Sequence, residues 1–279
     1  MGAPMARHLA GAGHEVTGYN RSPDKARAWA AAAGGRPAAT VAEAARDAEL
    51  FILCVGNDAD VREVVLQALP ELGSGAVIVD HTTTSAHVAR EMAAVADAAG
   101  VAFIDAPVSG GQAGAEAGKL SVMAGGDPAA LARVEPVLGA YAKAVKHMGP
   151  AGAGQLTKMV NQICIAGVVQ GLAEAVHFAQ SAGLDTDAVY DAVSQGAAQS
   201  WQMDNRWKTM ARGEFEFGFA VDWMRKDLGL VLEEARANGS HLALTALVDQ
   251  FYSEIQAMGG ARWDTSSLAA RLQDRRARR

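Results

Sequence analysis

The sequence has few cysteines and no long unbroken apolar segment, and each shortage argues against a class of protein. Its two cysteines, Cys54 and Cys164, lie in apolar surroundings without metal-ligand spacing. A disulfide framework is therefore not expected, and a reducing, cytoplasmic location is predicted. No apolar run reaches membrane-spanning length without glycine or polar interruptions, and no signal peptide is recognisable, so no membrane association is expected.

Charge is also scarce: 20% of the residues are charged, and the net charge is −6. This balance argues against a nucleic-acid partner. Only residues 271–279 are strongly basic, and we expect them to end a helix rather than to form a contact surface. No metal-ligand cluster, paired carboxylates or Ser–His–Asp arrangement is evident, so no metal is predicted. With 279 residues and 50% hydrophobic residues, the chain can build two domains with sizeable cores.

Short apolar strands alternate with helical segments over residues 1–150. This pattern predicts a Rossmann-like α/β domain with a mostly parallel sheet that is covered on both faces. In such sheets ligands bind beyond the carboxyl ends of the strands. Those ends are predicted at Asn20 and Arg21, at Val55 and Gly56, at Thr82 and Thr83, and at residues 105–111.

The chain begins directly with a helical segment that ends near Gly13. In a dinucleotide-binding unit a buried strand and a Gly-rich turn come before the first helix, and Gly2 would be only the last glycine of that turn. We therefore expect this domain to be N-terminally truncated, without its first strand, through a misassigned start or a real truncation. We also expect impaired folding or weakened cofactor affinity relative to a chain with additional N-terminal residues.

Residues 14–19 are predicted to form a short strand, and the turn after it indicates which dinucleotide binds. NAD-selective sites usually place an acidic residue there, for the ribose hydroxyls. This chain has Asn20, Arg21 and Ser22 instead, followed by Lys25. An amide, a guanidinium and a hydroxyl suit a 2′-phosphate, so NADP is predicted over NAD. The alternative is an ordinary polar turn before a helix that begins at Pro23.

Two further segments contain residues that could donate hydrogen bonds to a bound ligand. Ser109, Gly110 and Gly111 offer a hydroxyl and uncovered backbone amides to a carboxylate, although an ordinary flexible loop would have the same composition. Lys158 and Asn161 are three residues apart and share a helix face, where both can donate hydrogen bonds to one ligand. The alternative for Lys158 is a solvated helix lysine.

Residues 151–279 are predicted to be entirely helical, a second domain that binds substrate and supports dimerisation. The stripe of Trp201, Met203, Trp207 and Met210 is predicted to be mainly core. His81, His177 and His241 are interpreted as structural, and Asp264 as the cap of the last helix.

Four segments resemble the β-hydroxyacid dehydrogenase family, which includes 3-hydroxyisobutyrate dehydrogenase and tartronate semialdehyde reductase and is 6-phosphogluconate dehydrogenase-like in its cofactor domain. They occur in family order and span nearly the whole chain. The segments are residues 1–6, 105–118, 149–161 and 226–228.

The resemblance implies a role for each matching residue. Lys158 would be catalytic and Asn161 its partner on the substrate. Substrate contacts are implied for Ser109, Gly110, Gly111 and Gln162, where Gln162 stands in place of a second asparagine found in many members. Cofactor contacts are implied for Val55, Gly56, Thr83 and Lys226 and, at the end of the cofactor turn, for Met1 and Gly2. Asn20, Arg21 and Ser22 are candidate cofactor contacts from the chemistry of their turn.

The expected activity is reversible hydride transfer between NADP(H) and a small carboxylate-bearing hydroxy acid or aldehyde acid, by a homodimer or homotetramer. One alternative is imine reduction, which related folds perform, but that class typically lacks the lysine at position 158. The other is a non-catalytic binding or scaffold protein that has kept the fold.

Overall fold

The computed structural model describes residues 1–277, with side chains through residue 273. Contacts within the chain divide it into two compact units, residues 1–158 and 159–279. The basic run 271–279 falls mostly in the last helix, as expected, and its final two residues lie outside the described residues.

The first unit alternates strands and helices, which confirms the predicted α/β class. Its strands are β1 (Thr17–Gly18), β2 (Arg36–Pro37), β3 (Leu50–Leu53), β4 (Val77–Asp80), β5 (Ala102–Asp105), β6 (Val108–Ser109), β7 (Leu120–Gly125) and β8 (Ala142–Gly149). Its helices are α1 (Gly2–Gly11), α2 (Pro23–Ala33), α3 (Val41–Ala45), α4 (Asp58–Ala68), α5 (Ala86–Ala98), α6 (Gly111–Glu116) and α7 (Pro128–Leu138), with a 3₁₀ turn at Leu69–Glu71.

The strands form two sheets within the described residues. β1 and β2 pair in parallel as a two-stranded sheet. The larger sheet has the order β3-β4-β5-β7-β6, and β8 also pairs with β7. β3, β4 and β5 are parallel to one another, whereas β7 is antiparallel to β5 and β6. The mostly parallel arrangement aligns the carboxyl ends of β3, β4 and β5 at one edge.

The centre of the larger sheet is buried on both faces. In β4, Val77 and Val79 belong to one apolar cluster, whereas Ile78 belongs to another. Because successive strand residues point to opposite faces, these two clusters cover the two sides of the sheet. Side-chain caps fix where the covering helices begin: Asn57 accepts from the Asp60 amide of α4, and Ser85 accepts from the Val88 amide of α5.

Some elements of this unit were not expected. The sequence analysis assigned no strand or helix to residues 108–116, but the chain forms β6 and α6 there. Two residues of β6 pair with β7 and thereby complete an antiparallel edge that apolar periodicity does not signal. The short strand β2 and the short helix α3 were also missed, because Arg36 and Pro37 are atypical of strands and α3 has only five residues.

The second unit is helical, as predicted. Its helices are α8 (Ala153–Ser181), which begins in the first unit, α9 (Thr186–Val193), α10 (Trp201–Arg212), α11 (Val221–Asn238), α12 (Ala243–Ala257) and α13 (Leu268–Ala277), with a 3₁₀ turn at Thr265–Ser267. Met203, Trp207 and Met210 are buried in its core, whereas Trp201 is exposed. Asp264 accepts from the Ser266 amide and thereby caps the 3₁₀ turn before α13.

By length and composition alone, α8 is long and apolar enough to cross a membrane. The buried core helix of a globular protein passes the same test. Four buried polar side chains interrupt α8. They are Gln155, Lys158, Gln162 and Gln170.

Candidate active site

Hydrogen bonds join the loops at the carboxyl ends of β3 and β4. The Val55 amide donates to Thr82 Oγ1 at 2.9 Å, and the Gly56 amide donates to Asp60 Oδ2 at 3.1 Å. Val55, Gly56 and Thr83, all predicted cofactor contacts, are half-buried at this edge. The side chains of Thr82 and Asp60 thus fix the backbone just beyond the carboxyl end of β3.

A buried carboxylate holds the start of α8 against this edge. Asp105, the last residue of β5, is fully buried. Its Oδ1 accepts from the Gly152 amide at 2.7 Å, and its Oδ2 accepts from the Gln155 amide at 2.9 Å. The helix N-terminus therefore has an acceptor that satisfies its otherwise unpaired donors. Burial raises the pKa of Asp105 to about 6, while its backbone hydrogen bonds oppose the rise.

Gln155 links the same helix to the end of β4. Its Oε1 accepts from the Thr84 amide at 3.0 Å, and its Nε2 donates to the Thr82 carbonyl at 2.7 Å. The close approach requires a glycine at position 154, because a Cβ there would collide with the carbonyl oxygens of Met123 and Asp105. Gly154, in the first turn of α8, therefore allows the helix backbone to approach the sheet closely.

Lys158 lies on the second turn of α8, one turn beyond Gln155. It is only 8% exposed, so it is not the solvated helix lysine of the alternative interpretation. A lysine is rarely buried to this extent without partners, and this one has them. Its backbone position is fixed by the hydrogen bonds of Asp105 and Gln155 one turn earlier.

The predicted carboxylate-binding residues stand where β6 gives way to α6. Ser109 ends β6 and is half-buried, while Gly110 and Gly111 are exposed. Gly110 has φ +127° and Gly111 has φ +61°, values that favour glycine. A Cβ at Gly110 would also come within 3.2 Å of Leu120 Cδ2. The glycines keep the amides at the start of α6 uncovered by side chains.

The residues predicted to contact the cofactor in this part of the chain lie at the start of α1 and in the turn after β1. No side chain among the described residues caps the first turn of α1, where Met1 and Gly2 stand. Unpaired amides at a helix N-terminus favour a phosphate. Beyond β1, Asn20 Oδ1 accepts from the Ser22 amide at 2.9 Å and so shapes the turn. The side chain of Arg21 is 78% exposed and lies 3.4 Å from Asp60 Oδ1.

In the second unit, four polar side chains form a chain of contacts between α8 and α11. Asn161 Nδ2 donates to Gln162 Oε1 at 2.7 Å, and Gln162 Nε2 donates to Asp227 Oδ2 at 2.6 Å. Lys226 Nζ lies 3.0 Å from the other oxygen of Asp227. Three predicted site residues are thus joined by Asp227, to which the sequence analysis gave no separate role.

Two buried ionisable residues follow one another at the end of β4. Burial raises the pKa of Asp80 to about 7, against the hydrogen bond from the Thr82 amide to its Oδ1. Burial lowers the pKa of His81 to about 4. The His81 ring contacts the Ala106 carbonyl and lies 2.8 Å from the Tyr141 hydroxyl, in agreement with a structural role.

Sequence reasoning gave no supporting role to Asp80, Asp105 or Gln155. A signal existed for the two aspartates, since each ends a buried apolar strand. For Gln155 the sequence offers only its place in the first turn of a helix. Among residues 1–277, no group of three or more His, Cys, Asp or Glu side chains is arranged to hold a metal ion.

Comparison with known proteins places both units among nicotinamide-cofactor families. A family model described as the NAD-binding domain of 6-phosphogluconate dehydrogenase matches residues 1–149. A second, described as NAD-binding of NADP-dependent 3-hydroxyisobutyrate dehydrogenase, matches residues 152–272. An uncharacterised oxidoreductase of Shewanella frigidimarina is 61% identical, over 99% of this chain and 96% of that protein.

Solved structures show the same architecture. The 3-hydroxyisobutyrate dehydrogenase of Mycobacterium tuberculosis, in a structure with L-serine, is 34% identical and matches with a TM-score of 0.88. That match covers 98% of this chain and 95% of the other. The 3-hydroxyisobutyrate dehydrogenase of Salmonella typhimurium is 32% identical with a TM-score of 0.86, over 96% and 95% of the two chains.

Proposed function

The chain belongs to the β-hydroxyacid dehydrogenase family, and we propose that it interconverts a small 3-hydroxy acid and its aldehyde acid with NADP(H) as cofactor. The family membership supports a nicotinamide-dependent oxidoreductase. The substrate class draws support from the L-serine in the Mycobacterium tuberculosis structure, because serine is itself a 3-hydroxy carboxylic acid.

The observation on which this proposal rests is the burial of Lys158 on the second turn of a helix whose start is fixed by Asp105 and Gln155. A catalytic group must be held in a defined position before substrate arrives. In our proposal Lys158 donates a proton to the carbonyl oxygen of the aldehyde and removes it in the reverse direction. Its ammonium also stabilises negative charge that develops on that oxygen.

The other proposed roles follow from donor chemistry. The Ser109 hydroxyl and the amides of Gly110 and Gly111 bind the substrate carboxylate, and Asn161 donates to the substrate oxygen. When bound, the nicotinamide supplies the hydride that the carbonyl carbon receives. The aldehyde thus becomes an alcohol, while Lys158 gives up one proton and recovers it from solvent.

The residues proposed to hold the cofactor are Met1, Gly2, Val55, Gly56, Thr83 and Lys226.

We propose a preference for NADP from Arg21, with Asn20 and Ser22 beside it, because an exposed guanidinium can pair with a 2′-phosphate. Arg21→Ala should therefore raise the KM for NADPH by about tenfold and leave the KM for NADH within about twofold of wild type. Steady-state kinetics with both cofactors measure this, and an equal change in the two KM values would contradict the preference.

The proposed reaction is tested by cofactor oxidation against a panel of aldehyde acids. Methylmalonate semialdehyde, tartronate semialdehyde, succinic semialdehyde and glyoxylate should be compared with propionaldehyde, which has no carboxylate. We expect turnover of at least one acid and none of the neutral aldehyde. Failure of every acid, with no rise in melting temperature on adding NADPH or NADH, would refute the proposal.

A further inference from the structure

The hydrogen bonds among Asn161, Gln162 and Asp227 run in one donor-to-acceptor direction: Asn161 donates to Gln162, and Gln162 donates to Asp227. Gln162 and Asp227 are each only 2% exposed, so solvent offers little alternative pairing for their polar atoms. Asp227 forms an ion pair with Lys226 at 3.0 Å and stands 2.6 Å from the Gln162 amide. The three side chains Asn161, Gln162 and Asp227, in that order, are called the amide chain below.

The carboxylate determines the orientation of both amides. An ionised carboxylate only accepts hydrogen bonds, so Gln162 must present Nε2 to Asp227. A second N–H of the same Nε2 is directed at Met224 Sδ, 3.6 Å away. Because the amide group is planar, Gln162 then presents Oε1 to Asn161. Asn161 must therefore donate through Nδ2, which lies 2.7 Å from Gln162 Oε1, and the Asn161 oxygen faces away from Gln162.

We infer that Asp227 is a positioning residue that sets the orientation of the Asn161 amide through Gln162. The inference rests on the proposed function, in which Asn161 acts on the substrate. One N–H of Asn161 Nδ2 is directed at Gln162, and the proposed function assigns the other N–H of the same nitrogen to the substrate oxygen. The reversed amide would present Oδ1, an acceptor, in that place. Gln162 then acts through Asn161, in place of the direct substrate contact that the sequence suggested.

Asp227→Asn removes this constraint at nearly constant shape. In the native orientation, the amide introduced at position 227 would accept from Gln162 but would turn its own NH₂ toward the Lys226 ammonium. The reversed orientation lets its oxygen accept from Lys226 and its NH₂ donate to Gln162. Gln162 then turns Nε2 toward Asn161, which must accept. The variant therefore favours the reversed amide chain.

A double variant restores the original direction. In Gln162→Glu with Asp227→Asn, the carboxylate at position 162 accepts from both sides, so Asn161 again donates through Nδ2. The pair also keeps the net charge of the native side chains. Because Lys226 faces the same substituted side chain in the single and the double variant, the difference between them isolates the amide chain from any effect on Lys226.

The matched control is Asp222→Asn. Asp222 lies on the same helix, α11, and its Oδ1 accepts from Gln256 Nε2 at 2.6 Å. It therefore has the same carboxylate–glutamine pairing without a connection to Asn161. The control shows how much the loss of one carboxylate–glutamine pair changes turnover when the pair has no connection to Asn161. We expect its kcat to stay within about twofold of wild type.

The experiment measures kcat, the KM for the aldehyde acid and the Kd for NADPH of all four proteins, with thermal unfolding alongside. We expect Asp227→Asn to lower kcat about tenfold to a hundredfold and the double variant to recover to within about threefold of wild type, with the same NADPH Kd in both variants because Lys226 faces the same side chain in each. Wild-type kcat in Asp227→Asn would overturn the inference. So would a loss in the double variant equal to that in the single one.

A second readout does not depend on turnover. The side-chain NH₂ signal of Asn161 in ¹⁵N NMR should lose its hydrogen-bonded shift in Asp227→Asn and regain it in the double variant; an unchanged signal would overturn the inference. If Asp227→Asn does not fold, the double variant decides: wild-type-like kcat and Asn161 signal support the inference, and their loss overturns it. Inactivity of the wild type toward every aldehyde acid would refute the proposed function instead, and the NMR comparison would still test the amide chain.

Discussion

Asp80 is a buried carboxylate whose ionisation should weaken the fold as the pH rises. It is fully buried at the end of β4, and its Oδ1 accepts from the Thr82 amide at 2.8 Å. Its Oδ2 has no hydrogen-bond partner among the described residues. Burial, with smaller contributions from the charges of Asp105 and Asp58, raises its pKa from 3.8 to about 7.

The sign and size of the effect follow from this shift. Because the folded pKa lies above the unfolded one, folding favours the protonated acid. The resulting stability is present below about pH 4 and is lost as the pH rises toward 7. Each pH unit in that window changes the unfolding free energy by about 1.36 kcal/mol, so from about pH 5 to about pH 8 the loss is about 3 kcal/mol. His81 contributes with the opposite sign below about pH 6.5, since burial lowers its pKa to about 4.

The comparison of Asp80→Asn with wild type removes the His81 contribution, which both proteins share. Asparagine keeps an oxygen for the Thr82 amide and cannot ionise, so its stability advantage should grow by about 3 kcal/mol between about pH 5 and about pH 8. Urea unfolding of the protein without cofactor at both pH values measures this. Asp24→Asn, whose side chain is 93% exposed, is the control and should show no such growth. Stability curves for Asp80→Asn and wild type that run parallel with pH would refute the reasoning.

Two further substitutions each test a buried polar contact, one in the first unit and one in the second. Asp105→Asn keeps one acceptor for the amides of Gly152 and Gln155, where two are now used, and should lower the unfolding free energy by about 1–3 kcal/mol in urea titrations; an unchanged midpoint would contradict the anchoring of α8. Arg206→Met removes the guanidinium 3.0 Å from the buried Asp264 and should cost about 3–5 kcal/mol. Thermal unfolding checks this second change, and a melting temperature equal to that of wild type would show that the pair contributes little.

Local signals made much of the fold predictable. Apolar runs of strand length located β3, β4, β5 and β7, because a sheet buried on both faces requires continuous hydrophobic residues. Pro23 and Asp127 marked the starts of α2 and α7, since proline suits a first helical turn and aspartate caps it. The short elements β2, α3, β6 and α6 escaped because their stability comes from pairing and packing with distant segments, which local periodicity does not record.

The predicted site residues lay in motifs, whereas the residues that support them were joined by long-range contacts. Asp105 and Gly152 are 47 positions apart, and Gln155 and Thr82 are 73 apart. No spacing rule connects such pairs, so the place of Asp105 at the end of an apolar strand did not reveal which backbone amides it binds. Asp227 was noticed only within the Lys226–Asp227–Leu228 motif, because its partner Gln162 lies 65 positions earlier on another helix.

The central claim is that Lys158 moves the proton, and the most direct test compares its effect on turnover with its effect on cofactor binding. In Lys158→Ala, we expect kcat for aldehyde acid reduction to fall by about a thousandfold while the Kd for NADPH stays within about twofold of wild type. Lys143→Ala, at an exposed lysine of β8, is the matched control and should retain wild-type kcat. An unchanged kcat in Lys158→Ala, or equal losses of turnover and cofactor affinity, would contradict the account.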